Sequence, residues 1–163
     1  MAPRAALFGA VLDRVASTAC DALSSSVALG GSVSDLLMMI SSPVYLDEIH
    51  APGEVGALFT EASALTADPD VGEEARSSIQ RVVAALTDLL AHGQQTSEIR
   101  DDLDPVAGAW WLLSFVSART FRTAIATDPV AAEAQLAALT LRLLTIPQRL
   151  ADPPAAVCEE AQQ

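Results

Sequence analysis

Residues 104–146 read DPVAGAWWLLSFVSARTFRTAIATDPVAAEAQLAALTLRLLTI, and two features of that stretch decide the fold. The dipeptide Asp-Pro occurs twice, at Asp104-Pro105 and at Asp128-Pro129. Each copy supplies an Asp N-cap, whose carboxylate accepts from an unpaired first-turn amide, and a proline whose fixed φ suits the first helical position. The spacing predicts helices over 106–126 and 129–146. The second feature is how far the apolar surface extends around the later helix. Ala132, Leu136, Leu139, Leu143 and Ile146 recur at steps of three and four, while Val130, Ala134, Ala137, Leu141 and Leu144 form another stripe. A helix of a small monomer needs only one buried face. Two stripes predict that one is covered by the chain's own core and the other by a second copy.

Outward from this pair, the rest of the chain is also helical in pattern. Leu7, Phe8, Val11, Leu12, Val15, Ala19, Ala22 and Leu23 recur at helical spacing, predicting a first helix over 3–24. Ser32 is placed to cap a short helix that Ser41-Ser42-Pro43 interrupts, because a residue before proline avoids the helical basin. Residues 44–49 resume as a turn or short helix, and 54–65 read as another, with Val55, Leu58, Phe59 and Ala62 inward. Asp70 with Glu73 approximates a capping box for a long helix carrying Ala75, Ile79, Val82, Val83, Leu86, Leu89 and Leu90, closed by His92-Gly93. Residues 94–103 form a polar, acidic loop, and Pro147 stops the last helix. No strand-like alternation and no repeat appear. The expectation is an all-α bundle of five to six helices in one domain over 1–150, followed by a disordered tail over 151–163.

Composition narrows the function. Hydrophobic residues make up 51% of the 163 and aromatics 4%, so the core is aliphatic. The net charge of −12, with all nine cations arginine, argues against a nucleic-acid surface, which needs clustered positive charge. Cys20 and Cys158 are too few for a disulfide framework. No apolar run approaches the roughly 20 residues of a membrane span. Arg4 followed by an apolar run to Leu12 has the look of a short signal core, and Ser17-Thr18-Ala19-Cys20 loosely of a lipoprotein box. Asp13 and Arg14 break that run, and the expected location is cytoplasmic.

Candidates for chemistry are few. Gly-x-Ser-x-Gly, P-loop, Gly-x-Gly-x-x-Gly and His-Glu-x-x-His motifs are all missing, so neither an enzyme nor a cofactor is expected. His50 stands among Asp47, Glu48 and Glu54 without fixed ligand spacing, which reads as a solvated acidic loop and not as a metal site. Met38-Met39 suits an adaptable apolar cavity, and the single tyrosine, Tyr45, offers a polar handle within one.

One stretch carries a family resemblance. Ser97-Glu98-Ile99-Arg100-Asp101-Asp102-Leu103-Asp104-Pro105, followed by Val106-Ala107-Gly108-Ala109, resembles the C-terminal half of tetracycline-repressor (TetR) family regulators. There a long helix ends in a loop with a Gly/Ser-Glu-Ile/Leu-Arg-x-Asp-x-Asp-Pro pattern. Arg4-Ala5-Ala6-Leu7-Phe8 resembles the start of that family's fourth helix. The resemblance implies that the last two helices build an intersubunit four-helix bundle. It also implies a homodimer that senses a small hydrophobic effector. The ligand site would draw on Leu12, Val15, Met38, Met39, Tyr45, Phe59, Val83, Leu86 and Trp110. The dimer interface would draw on Trp111, Phe115, Arg119, Arg122, Ala132, Leu136, Leu139 and Leu143. Adjacent tryptophans point about 100° apart on a helix, so Trp110 is assigned inward and Trp111 to the partner. The family's helix-turn-helix has no counterpart in these residues. Family members contact DNA through that element, and the expectation is that this chain reads no operator by itself. A trimmed chain, a late start and a naturally headless family member all fit that departure. A headless member would pair with intact relatives and bind nothing itself.

Overall fold

A computed structural model describes residues 3–51, 66 and 71–146. Its helices are α1 (Pro3–Ala28), α2 (Val33–Ser41), α3 (Pro43–Ile49), α4 (Gly72–Gln95), α5 (Pro105–Ser117), α6 (Arg119–Ile125) and α7 (Pro129–Leu144). The fold is all-α, and among the described residues the only ladder contact is an isolated bridge between Ile99 and Thr145. The helix expected over 54–65, Phe59 and the tail lie outside the described residues.

Local chemistry accounts for most helix starts. Ser32 Oγ accepts from the Asp35 amide at 3.2 Å, and Ser42 Oγ accepts from the Tyr45 amide at 3.2 Å. Asp104 accepts from the Val106 amide at 2.9 Å and Asp128 from the Ala131 amide at 3.0 Å, with proline at the first turn of both helices. The long helix departs from expectation. α4 begins at Gly72 behind Val71, which makes no side-chain cap, and Glu73 pairs outward with Arg76. The first helix also runs further than expected, to Ala28.

α4 is the central post. Its buried positions Val82, Val83, Leu86, Leu89 and Leu90 pack with Ala16 and Leu23 of α1 and with Ala109 and Leu112 of α5. The α4–α5 loop is folded tightly against its flanking helices. Gln94 Nε2 donates to the carbonyls of Arg100 and Leu103, both at 2.7 Å. The Arg100 amide donates to Leu144 O at 3.2 Å, and the Ile146 amide to Glu98 O at 3.2 Å, tying this loop to the end of α7. Gly93 is required by that approach, because a Cβ there would stand 2.4 Å from Ile99 Cγ1.

The helix expected over 106–126 is two helices, α5 and α6, separated at Ala118. The interruption is small. Ala118 donates to Ser114 O and accepts from the Arg122 amide, both at 3.0 Å, so apolar periodicity runs straight through it. The stripes read on the last helix also need correction. The buried face of α7 is Glu133, Ala137, Thr140 and Leu144. Leu139, Leu143 and Ile146 are exposed, as is Val130, so each stripe mixes covered and open positions.

Candidate ligand cavity and apolar surface

Five helices line a half-open cavity of about 470 Å³. α1 contributes Val15, Ala19, Ala22 and Leu23, α2 contributes Leu36, Met39 and Ile40, and α3 contributes Tyr45 and Ile49. α4 adds Val82 and Leu86, and α5 adds Leu112, Leu113 and Val116. The wall residues that carry polar groups are Arg14, Thr18, Ser26 and Tyr45. A concave, mostly apolar space with a few polar groups is the usual form of a small-molecule site. Burial first, and then the Glu48 carboxylate, push the Tyr45 phenol above its ordinary range. The hydroxyl therefore stays protonated and is a donor at neutral pH. A second, shallower groove of about 520 Å³ lies between α1 and α4, with Cys20, Val27, Arg81 and Asp88 among its lining residues.

Of the residues expected at a ligand site, Val15, Met39, Tyr45 and Leu86 line the cavity. Leu12 is fully buried and Val83 belongs to the central core, and neither is on the cavity wall. Met38 is exposed one position from Met39, where the helix has turned by about 100°. Trp110 corrects the inward assignment: it is 46% exposed and does not reach the cavity. Ala19, Leu36, Ile40, Leu112 and Val116 are wall residues that sequence reasoning did not single out.

The residues assigned to a partner divide the same way. Trp111 is 41% exposed, with its Nε1 donating to Thr140 Oγ1 at 3.2 Å. Trp110, Trp111, Leu139, Leu143 and Ile146 leave a substantial apolar surface on α5 and α7. Ala132 and Leu136 are half-buried, Leu136 against the small cluster of Leu46, Phe115 and Ala137. Phe115 and Arg119 are enclosed within the chain and are not on that surface.

Arg119 and Arg122 instead belong to an ionic core. Arg122 Nε and Nη2 donate to the two carboxylate oxygens of Glu133 at 2.6 and 3.0 Å, and Arg119 Nη1 stands 3.0 Å from Glu133 Oε2. Arg119 also pairs with Asp47 of α3, and the Arg122 guanidinium lies 4.8 Å from the centre of the Phe115 ring. The Glu133 side chain is 2% exposed, so its charge depends on these two arginines.

His50 Nδ1 stands 2.9 Å from Leu46 O at the end of α3. Among the described residues no group of three or more His, Cys, Asp or Glu is placed to hold a metal ion. Nor, among them, is any helix long and apolar enough to cross a membrane. No protein-family model, curated protein or solved structure matches the chain.

Proposed function

We propose that the chain is the effector-sensing and pairing domain of a tetracycline-repressor-type regulator, binding a hydrophobic small molecule between α1 and α5. The observation that carries this reading is the cavity of about 470 Å³, lined by five helices and walled mostly by apolar side chains. A ligand filling it touches α1 and α5 together. It therefore shifts their relative position only so far as it binds one arrangement better than another. In a protein with a DNA-reading element attached to the first helix, that shift changes the spacing of two such elements across a dimer. The chain carries net charge −12 and is expected to leave random duplex DNA unretarded in a gel at moderate salt.

The exposed surface of α5 and α7 supports pairing of two copies. Leu139→Asp or Leu143→Glu alters a side chain that is already exposed, so either is expected to change the lone subunit's stability by at most about 0.5 kcal/mol. Buried between two copies, the same charge costs several kcal/mol. Sedimentation at micromolar concentration is the test, with a dimeric wild type and monomeric variants expected. A monomeric wild type removes the pairing half of the reading. Native mass spectrometry of gently purified protein tests the sensing half, with a co-purifying small molecule as the expected result. The open apolar surface also favours a second reading, a helical interaction protein that pairs with intact relatives. A partner-bound chain with no ligand in its cavity would mark that case.

A further inference from the structure

α3 is the one short helix on the cavity wall, and its other side meets the ionic core. It is 7 residues long and joins α2 through Ser42, whose extended backbone (φ −68°, ψ 139°) ends one helix and caps the next. Each step along a helix turns it by about 100°, so residues four apart share a face. Tyr45 and Ile49 share the face that lines the cavity. Asp47 lies on the opposite side, with Leu46 between. Leu46 is fully buried with Phe115 and Ala137, and Ile49 packs against the same cluster. The main neighbours of α3 are α2 and α7, so a push from the cavity side is borne by α7.

Asp47 is the outlying member of the ionic core. Arg119 joins it to Glu133, which stands on the buried face of α7, and Arg122 completes a set of two guanidiniums and two carboxylates. The side chains of Arg119 and Glu133 are 7% and 2% exposed, so neither finds solvent to replace a lost partner. α6 and α7 can leave α3 as a unit only by breaking the Asp47–Arg119 pair and baring Leu46. Packed side chains and ion pairs of this kind are what carry coupling between separated sites. The outer side of α7 carries the open Leu139 and Leu143.

Resting on the reading of this cavity as a ligand site, we infer that α3 couples its occupancy to α7 through Asp47, Arg119 and Glu133. A molecule packed on Tyr45 and Ile49 favours the position of α3 that keeps Asp47 on Arg119. Local opening of α6 and α7 then becomes rarer, and the apolar face of α7 is held in one arrangement. By linkage, a ligand that makes this opening about fivefold rarer binds the opened form about fivefold more weakly. The closed form dominates, so overall affinity for the ligand does not depend on the relay.

The test is hydrogen exchange of the full chain, with and without saturating N-phenyl-1-naphthylamine, an uncharged apolar fluorophore whose emission reports its own binding. The probe is expected to slow exchange about fivefold in α6 and α7, which do not line the cavity, as well as in α4 and α5, which do. Asp47→Asn changes a side chain that is 71% exposed and is expected to leave probe affinity unchanged. In that variant α4 and α5 should still be slowed, while α6 and α7 keep their probe-free rates. Asp47→Glu, which retains the charge, is expected to restore the slowing. Arg142→Gln, at an exposed position of α7, is expected to behave as wild type. If the slowing of α6 and α7 survives Asp47→Asn, it reflects stabilisation of the whole fold and the relay is overturned, with the ligand site intact. The relay is equally overturned if the probe binds wild type and slows only the cavity helices. If the probe does not bind at all, the ligand-site reading falls and takes this inference with it.

Discussion

Between α1, α4 and α5 the buried surfaces are aliphatic, with Ala16, Leu23, Leu86, Leu90, Ala109 and Leu112 closing on one another. Between α3, α6 and α7 a carboxylate and a guanidinium, Glu133 and Arg119, are buried as well as the apolar Leu46, with Arg122 close behind. The two regions fail differently when one member is removed. Truncating a leucine in the first leaves a void that its neighbours partly fill, whereas neutralising a charge in the second strands an opposite charge without solvent. The aliphatic slab tolerates a cavity along its flank, while the ionic wing holds α7 in a fixed register against α6.

The sharpest way to break this contrast is Glu133→Ala. It leaves Arg119 and Arg122 without their shared partner and is expected to cost about 3–5 kcal/mol in urea denaturation. Replacing the three charges together, as Arg119→Met, Arg122→Met and Glu133→Leu, is expected to recover most of that loss, since apolar groups of similar volume need no partner. Should Glu133→Ala prove nearly silent, the wing is held by its apolar packing and the two regions do not differ in kind.

On the aliphatic side, Leu112→Ala is expected to cost about 3 kcal/mol, since Leu112 is 1% exposed and its truncation opens a void beside the existing cavity. A hydrophobic ligand should return part of that stability, which a shift in melting temperature with added ligand would reveal. Gly93→Ala probes the opposite defect. The added methyl meets Ile99 and Val33 and is expected to cost about 2 kcal/mol, with Ile99→Ala in the same chain restoring some of it.

The same contrast explains what could be read from residues alone. The Asp-Pro starts at Asp104 and Asp128 and the serine cap at Ser32 were legible, because capping is a local property of a few consecutive residues. The ionic wing was not. Glu133 falls in an alanine-rich helix and looks like a solvated charge until α6 folds back to bring Arg119 and Arg122 beside it. Apolar periodicity therefore found only Ala137 and Leu144 of the buried face of α7, which Glu133 and Thr140 complete. The cavity was legible only to within one helical step. Met39 is on its wall and Met38 is not, and of the two core valines Val82 is on it and Val83 is not. Composition identifies such pairs, but the rotational phase that separates their members comes from packing against other helices.

Glu98 joins the two regions, since it lies in the loop that touches the ends of both α2 and α7, and it carries the smallest of these expected effects. Its carboxylate accepts from Ser32 Oγ at 2.6 Å, from the Ser34 amide at 3.0 Å and from Thr96 Oγ1 at 2.9 Å, at the N-terminus of α2. Desolvation raises the acid's pKa, but these hydrogen bonds outweigh it and hold the group at about 2, below its ordinary 4.5. A carboxyl whose folded value lies below its unfolded value stabilises the fold fully above the unfolded value. That contribution fades as the pH falls from about 4.5 toward about 2. Because the site is partly open to water, the contribution at neutral pH is discounted to about 1 kcal/mol. Glu98→Gln should lower stability by that amount at pH 7 and flatten the acid limb of the stability profile. The same profile for Glu133→Ala should keep its Glu98 limb. If Glu98→Gln leaves the acid limb unchanged, the carboxylate does not tie α2 to the loop, and the two regions are joined by the packing of Leu144 in the aliphatic cluster and by the backbone bridge at Ile99.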